Sequence, residues 1–259
     1  MTLRKIFWVL LLSIGALAHL HGQDKPGASA EELAKSNNPL ADIKAFNVQN
    51  YYIPRLFGNS DALANTTWLR GAIPTGRILW RGSLPFQTFS TGSVTESGLG
   101  DADIFGAYLA IQDAKFSFGV GPSVGIPTAS NDLLGTGKWT GGLAVVAFAV
   151  PSPQFQYGAL VIWRTSFAGD DARADVNFGA FQPFYFWQLG KGLYLRGAPV
   201  WFFNIETGDY NVPMALGIGK VLKVGGTVFN LFIEPQFTAL HYGAGQPAIQ
   251  LFSGINMQF

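Results

Sequence analysis

The sequence predicts an all-β protein: a transmembrane up-and-down antiparallel β-barrel of about twelve strands behind a cleaved export signal. Three observations lead there. An N-terminal apolar run is too short to span a bilayer, and no other run reaches the ~18 apolar residues of a membrane helix. The rest of the chain alternates with period two, segment after segment. The connections between segments are by turns short and long. Composition agrees: charged residues are 13% of the 259, about half the ~25% of an average soluble domain, and mean hydropathy is +0.22. Such a chain is too apolar to be disordered. The net charge of +1 leaves no basic surface for nucleic-acid phosphates. The absence of cysteine excludes disulfide frameworks, thiolate metal sites and thiol nucleophiles.

Residues 1–23 read as the signal. Arg4 and Lys5 precede the apolar run Ile6–Ala18, and Ala16-Leu17-Ala18 supplies a small-residue cleavage site, with Gln23 as a later alternative. Thirteen helical residues cover roughly 20 Å, short of the ~30 Å hydrocarbon core. Residues 24–43 form a polar segment with one helical cue. There Ser29 and Glu32 have capping-box spacing, and Asn37-Asn38-Pro39 ends any helix. Folded into the lumen this piece would be a plug; outside it would be a periplasmic tail.

The barrel proper is expected over 44–259, in segments 44–57, 64–74, 77–89, 99–112, 115–127, 138–150, 154–166, 175–189, 192–206, 211–224, 227–240 and 248–259. The last segment shows the pattern. Ile249, Leu251, Ile255, Met257 and Phe259 share one face, and Gln250, Phe252, Gly254, Asn256 and Gln258 share the other. Likewise Phe229, Leu231, Ile233 and Phe237 alternate with Asn230, Phe232, Glu234 and Gln236. Tight turns PTGR, QDAK, PSPQ, LGKG and VGGT alternate with longer polar loops such as TASNDLLGTGK and FAGDDARAD. An even-stranded barrel puts both termini and every short turn on one side, which is the periplasmic side of an outer-membrane barrel. In hydrocarbon only closure leaves no strand edge unpaired. Tyr51, Tyr52, Trp139, Tyr157, Tyr185, Trp187 and Tyr194, near segment ends, are candidates for interfacial girdles.

Charges within strands point to function. A cation facing lipid at mid-depth costs about 2–4 kcal/mol, so Arg81, Arg164, Arg196 and Glu234 are expected to face inward. With Asn230 and Gln236 they are the lumen-lining candidates. One reading is a constriction with net positive charge that favours anionic or polar solutes; the other is an internal salt-bridge network that fills the barrel. Twelve strands ~4.8 Å apart and tilted ~40° enclose a backbone ring about 24 Å across, which leaves either a narrow bore or none.

No enzyme, cofactor or metal is expected. Gly121-Pro122-Ser123-Val124-Gly125 matches the nucleophile elbow, with Asp170 and His241 in hydrolase order. It lies inside an alternating strand, however, and no helix follows. Asp170, Asp171 and Asp175 lack calcium-loop spacing.

The stretches NPLADIKAFNVQNYY, PTASNDLLGTGKWTGG, YGALVIWRTSFAGDDARADVNFGAFQPFYFW and VPMALGIGKVLKVGG resemble the bacterial outer-membrane barrel family labelled "MetA-pathway of phenol degradation". Its members are also called transporters or neuromedin-U-like proteins. The resemblance spans residues 32–259. It implies an outer-membrane barrel with a transport role, and carries over neither a substrate nor catalytic residues. The expected function is passage of a small solute; the alternatives are a non-conducting structural or surface-binding barrel and a barrel-embedded hydrolase. Expected partners are outer-membrane lipids, an unidentified solute, and the barrel-assembly machinery through the terminal Phe259.

Overall fold

The computed structural model describes residues 36–259; the export signal and the Ser29–Glu32 helical cue lie outside the described residues. Fifteen strand segments follow in order: β1 (Ala45–Leu56), β2 (Leu63–Thr75), β3 (Ile78–Ser90), β4 (Thr95–Leu99), β5 (Ala102–Gln112), β6 (Phe116–Ile126), β7 (Lys138–Ala149), β8 (Phe155–Gly169), β9 (Asn177–Gly190), β10 (Leu193–Gly197), β11 (Trp201–Asn204), β12 (Tyr210–Ala215), β13 (Gly217–Val224), β14 (Thr227–Tyr242) and β15 (Pro247–Gln258). Three pairs are single staves with an interruption. β4 and β5 both pair with β3, β10 and β11 both pair with β9, and β12 and β13 both pair with β14. Joining them gives a closed antiparallel barrel of twelve strands, sealed where β1 meets β15 with Ala45 opposite Gln258. The segment boundaries expected from alternation coincide with these staves to within a few residues.

Alternation decides which side chain meets which medium. Ile233, Phe237, Ile249 and Ile255 are exposed outward, while Asn230, Glu234, Gln236, Gln250 and Phe252 are buried inside. Glycine permits the walls to approach. A Cβ on Gly121 would lie 1.8 Å from the Gly106 carbonyl oxygen, and one on Gly142 1.9 Å from that of Trp163. At the tight turn after β9, Gly190 and Gly192 hold positive φ on either side of Lys191.

Two features depart from a plain alternation. Tyr51 and Tyr194 are not girdle residues. Tyr51 stacks on Phe252 inside the barrel at 4.2 Å, and Tyr194 is fully buried with its hydroxyl on Asn230. Residues two apart share a face, so the parity that turns Arg196 inward takes Tyr194 with it. Trp139, Tyr157 and Trp187 are exposed on the outer surface. Second, the short-turn half of the interior is apolar. Leu79, Phe105, Leu109, Val146, Phe148, Leu160, Phe184 and Phe186 form a buried cluster there. Both faces of these strands are greasy, which accounts for the high apolar content.

Candidate functional site

Two cavities in the interior share part of their lining. The larger, about 740 Å³, opens toward the long loops. The smaller, about 160 Å³, lies toward the short turns and is lined by residues 36–41. Arg70, Arg81, Phe105, Leu160 and Gln182 line both, so they mark the waist between them.

The outer chamber combines aromatic walls with guanidinium groups. Tyr51, Trp68, Phe178 and Phe202 line it together with Arg164, Asp101, Asp103 and Lys138. Arg164 lies 3.9 Å from Asp103 and 5.4 Å over the Phe178 ring. Arg70 sits 4.6 Å over Trp68 and donates to Gln49 Oε1. Arg81 rests 5.7 Å over Phe105 and has no ion-pair partner among the described residues. Arg70 likewise has no ion-pair partner among the described residues, so the waist presents two guanidinium groups without a counter-charge to whatever occupies the chamber, against rings that hold an apolar body.

The mouth is built by the longer polar loops TASNDLLGTGK and FAGDDARAD. Asp101 accepts from the Ala129 amide at 3.2 Å, the Thr136 amide at 2.7 Å and the Thr136 hydroxyl at 2.9 Å. Arg173 reaches across from the other loop to the Asp132 and Gly135 carbonyls at 2.7 and 2.5 Å. A Cβ on Gly135 would fall 2.2 Å from Ala129 Cβ, so only glycine fits under this clasp. Asp175 bridges to Lys138 at 3.3 Å and accepts from Ser166. The Lys138 and Ser166 hydrogen bonds hold its carboxyl below the ordinary 3.8.

At the opposite end, residues 36–43 fold into the lumen. Leu40 is 1% exposed within the apolar cluster. Asn230 Nδ2 donates to the Ser36 carbonyl at 3.3 Å and to Asn37 Oδ1 at 2.9 Å, and Gln258 Nε2 reaches the Ser36 carbonyl at 3.4 Å. This part of the polar N-terminal segment is a plug.

The six lumen candidates thus separate. Arg81, Arg164, Arg196 and Asn230 line cavity surface, Asn230 as an anchor for the plug. Glu234 and Gln236 are fully buried and line neither cavity. Glu234 pairs with Arg196 at 2.6 Å, accepts from Gln236 at 2.7 Å, and receives the Ala198 amide at 3.0 Å; Gln250 donates to Gln236 at 2.9 Å. The Arg196 guanidinium lies 3.7 Å over Phe232. Sequence reading overlooked Arg70, although it shares parity with Ala72 and Trp68 on β2 and the same lipid-cost reasoning applies to it.

The hydrolase constellation does not assemble. Ser123 is buried mid-strand in β6 with its hydroxyl unpartnered, while His241 stacks on Phe57 at 3.6 Å. Among the described residues no group of acidic and histidine side chains is placed to hold a metal.

No family model matches the chain, and no curated protein matches it. Solved structures do. An outer membrane channel from Pseudomonas putida F1 superposes with a TM-score of 0.61 at 14% identity, over 84% of this chain and 94% of that one. The NanC porin gives 0.54 at 11% identity, over 83% and 98%. The KdgM porin gives 0.52 at 8% identity, over 83% and 99%. The chain has the fold of outer-membrane porins and channels.

Proposed function

We propose that this protein is an outer-membrane barrel that takes a small solute from the outside into the long-loop chamber for passage inward. The observation that carries this reading is the waist: Arg70 and Arg81 face a chamber of about 740 Å³ walled by Tyr51, Trp68, Phe178 and Phe202. Rings of cationic side chains around a bore favour anions. Two guanidinium groups without ion-pair partners beside aromatic faces suit a solute with an apolar ring and an anionic group. The outward apolar surface and the fold shared with outer-membrane channels support the location. The resemblance to the phenol-degradation-labelled barrels supports transport. In this reading the exposed Phe259, whose amide donates to the Lys44 carbonyl at 3.0 Å, is the handle for barrel assembly.

Planar bilayers under a salt gradient test it. The wild-type reversal potential should show anion preference, and Arg81→Ala and Arg164→Ala should each move it toward cations. Reversal potentials that do not respond to either change would overturn the charge argument. The plug and the packed short-turn half favour the non-conducting alternative, and complete absence of conductance would select it.

A further inference from the structure

One tight turn carries a residue that its backbone does not favour. Lys191 and Gly192 are the central pair of the β9–β10 turn, and their φ angles are 50° and 76°. Two positive φ angles in succession are what a type I′ turn requires, and Asn, Asp or Gly is the ordinary choice for its first position. Lys191 is the only non-glycine with positive φ among the described residues. Asparagine would relieve the backbone strain. The turn itself gives no reason for lysine; the ammonium does.

A second lysine meets it on the lipid side of the wall. In β13 the inward residues Gly219 and Val221 are buried, and Ile218, Lys220 and Leu222 face outward. Lys220 is opposite Leu193 on one flank and Leu231 on the other. Its Nζ donates to the Lys191 carbonyl at 2.6 Å, which joins β13 to the turn. A cation on the lipid face is tolerated near an interface, which lysine reaches along its apolar stem. Register gives the depth. Trp187, exposed on the outer surface, is opposite Leu195, and Leu195 is opposite Ile218. Lys220 is two residues nearer the short turns, about 7 Å. Tryptophan marks the headgroup level, so the two lysines lie among the phosphates of the leaflet on the short-turn, periplasmic side.

No carboxylate answers this pair. The Lys191 ammonium has no partner among the described residues. The acidic side chains described at this end are Asp42, ahead of β1, and Asp113, in the β5–β6 turn. Asp113 accepts from the Lys115 and Phe116 amides at 2.9 and 2.7 Å. Toward the bilayer from the lysines, Leu193, Leu195 and Ile218 form outward apolar surface.

We propose that Lys191 and Lys220 form a binding site for an anionic phospholipid of the inner leaflet. Its phosphodiester takes hydrogen bonds from both ammonium groups, and its acyl chains run along Leu193, Leu195 and Ile218. Phosphatidylglycerol has a net negative charge and fits. Phosphatidylethanolamine brings an ammonium of its own, which the lysines repel. The bound lipid ties β13 to the turn of β10, a stave segment of five residues. The site lies outside the lumen, so it neither needs nor bears on the passage reading.

The full chain, purified from outer membranes in detergent, is titrated with phosphatidylglycerol or phosphatidylethanolamine of the same acyl chains. Native mass spectrometry reads the bound lipid. Wild type should prefer phosphatidylglycerol, by about fivefold for each lysine engaged. Lys191→Asn installs the residue that the turn favours. It should keep the lipid-free thermal midpoint at or above that of wild type, yet lower phosphatidylglycerol affinity about fivefold. A merely structural lysine would not split these readouts. Lys220→Gln should lower the same affinity by a similar factor, and Lys220→Arg should retain it. Lys115→Gln, in the β5–β6 turn, should change nothing. Equal affinity of wild type for the two lipids overturns the site, as does phosphatidylglycerol binding indifferent to both Lys191→Asn and Lys220→Gln. An equal loss in Lys115→Gln overturns it too, since any lysine of the rim would then serve. Displacement of the lipid by equimolar glycerol 3-phosphate would replace the lipid with a free phosphate as occupant and overturn the proposal.

Discussion

Glu234 and Ala198 are joined across the barrel wall: the carboxylate receives the Ala198 amide at 3.0 Å while its other oxygen meets Arg196 Nε at 2.6 Å. One side chain thus neutralises a buried cation and repairs a missing rung of backbone pairing. Glu234→Ala should cost about 3–5 kcal/mol, because it strands Arg196 without a counter-charge. Glu234→Gln keeps an acceptor for the amide and should fall between. Urea midpoints in detergent micelles check this, and identical midpoints for the two variants would remove the amide from the account.

The plug should be releasable. Leu40→Asp would place a carboxylate among Leu79, Phe105, Leu160 and Phe184, at a cost of about 3 kcal/mol or more. That is on the order of a hundredfold shift from docked to released. Single-channel conductance should rise, with the unfolding midpoint of the barrel nearly unchanged, since the staves do not depend on this segment. An unaltered current would show that the apolar cluster alone closes the bore.

The loop clasp sets protease access at the mouth. Arg173→Ala removes charge-assisted bonds to the Asp132 and Gly135 carbonyls, each worth about 1.5–3 kcal/mol. Chymotrypsin should then cut at the exposed Leu133 roughly tenfold faster or more. Cleavage at the wild-type rate would mean that Asp101 holds the loop by itself.

Acid should act late on the same region. The folded-state carboxyl of Asp175 titrates below its ordinary 3.8, chiefly through Lys138 and Ser166. Its contribution to loop order is complete above that value and is lost as the pH falls through the lower folded value. The difference in Leu133 cleavage between wild type and Asp175→Asn, read with an acid-stable protease, should hold from pH 7 to 5. It should vanish only below 3.8.

Much of this was legible in the chain, and the remainder has a definite physical cause. Alternation gave the staves because lipid outside and a confined interior select opposite side chains at every step. It failed for Tyr51 and Tyr194, where position at a segment end was weighed above parity. It also could not separate Arg81, which meets a cavity, from Glu234, which meets the wall. Both point inward, and only the neighbours across three strands decide between them. The gap in pairing between β9 and its neighbour, from Gly197 opposite Tyr185 to Trp201 opposite Phe181, was hidden for a related reason. Pro183 and Pro199 are ordinary strand-interrupting residues until the turn at Gly190–Gly192 fixes the register and sets them face to face.

The meeting of Ala45 with Gln258, and of Lys44 with Phe259, leaves the two ends of the cylinder side by side. With residues 1–43 removed, a short linker from Phe259 to Lys44 would make the barrel circular without moving a stave. New ends cut between Asp170 and Asp171 should then give a permuted chain that closes the same ring, and the order of synthesis would matter less than the neighbour each stave finally meets.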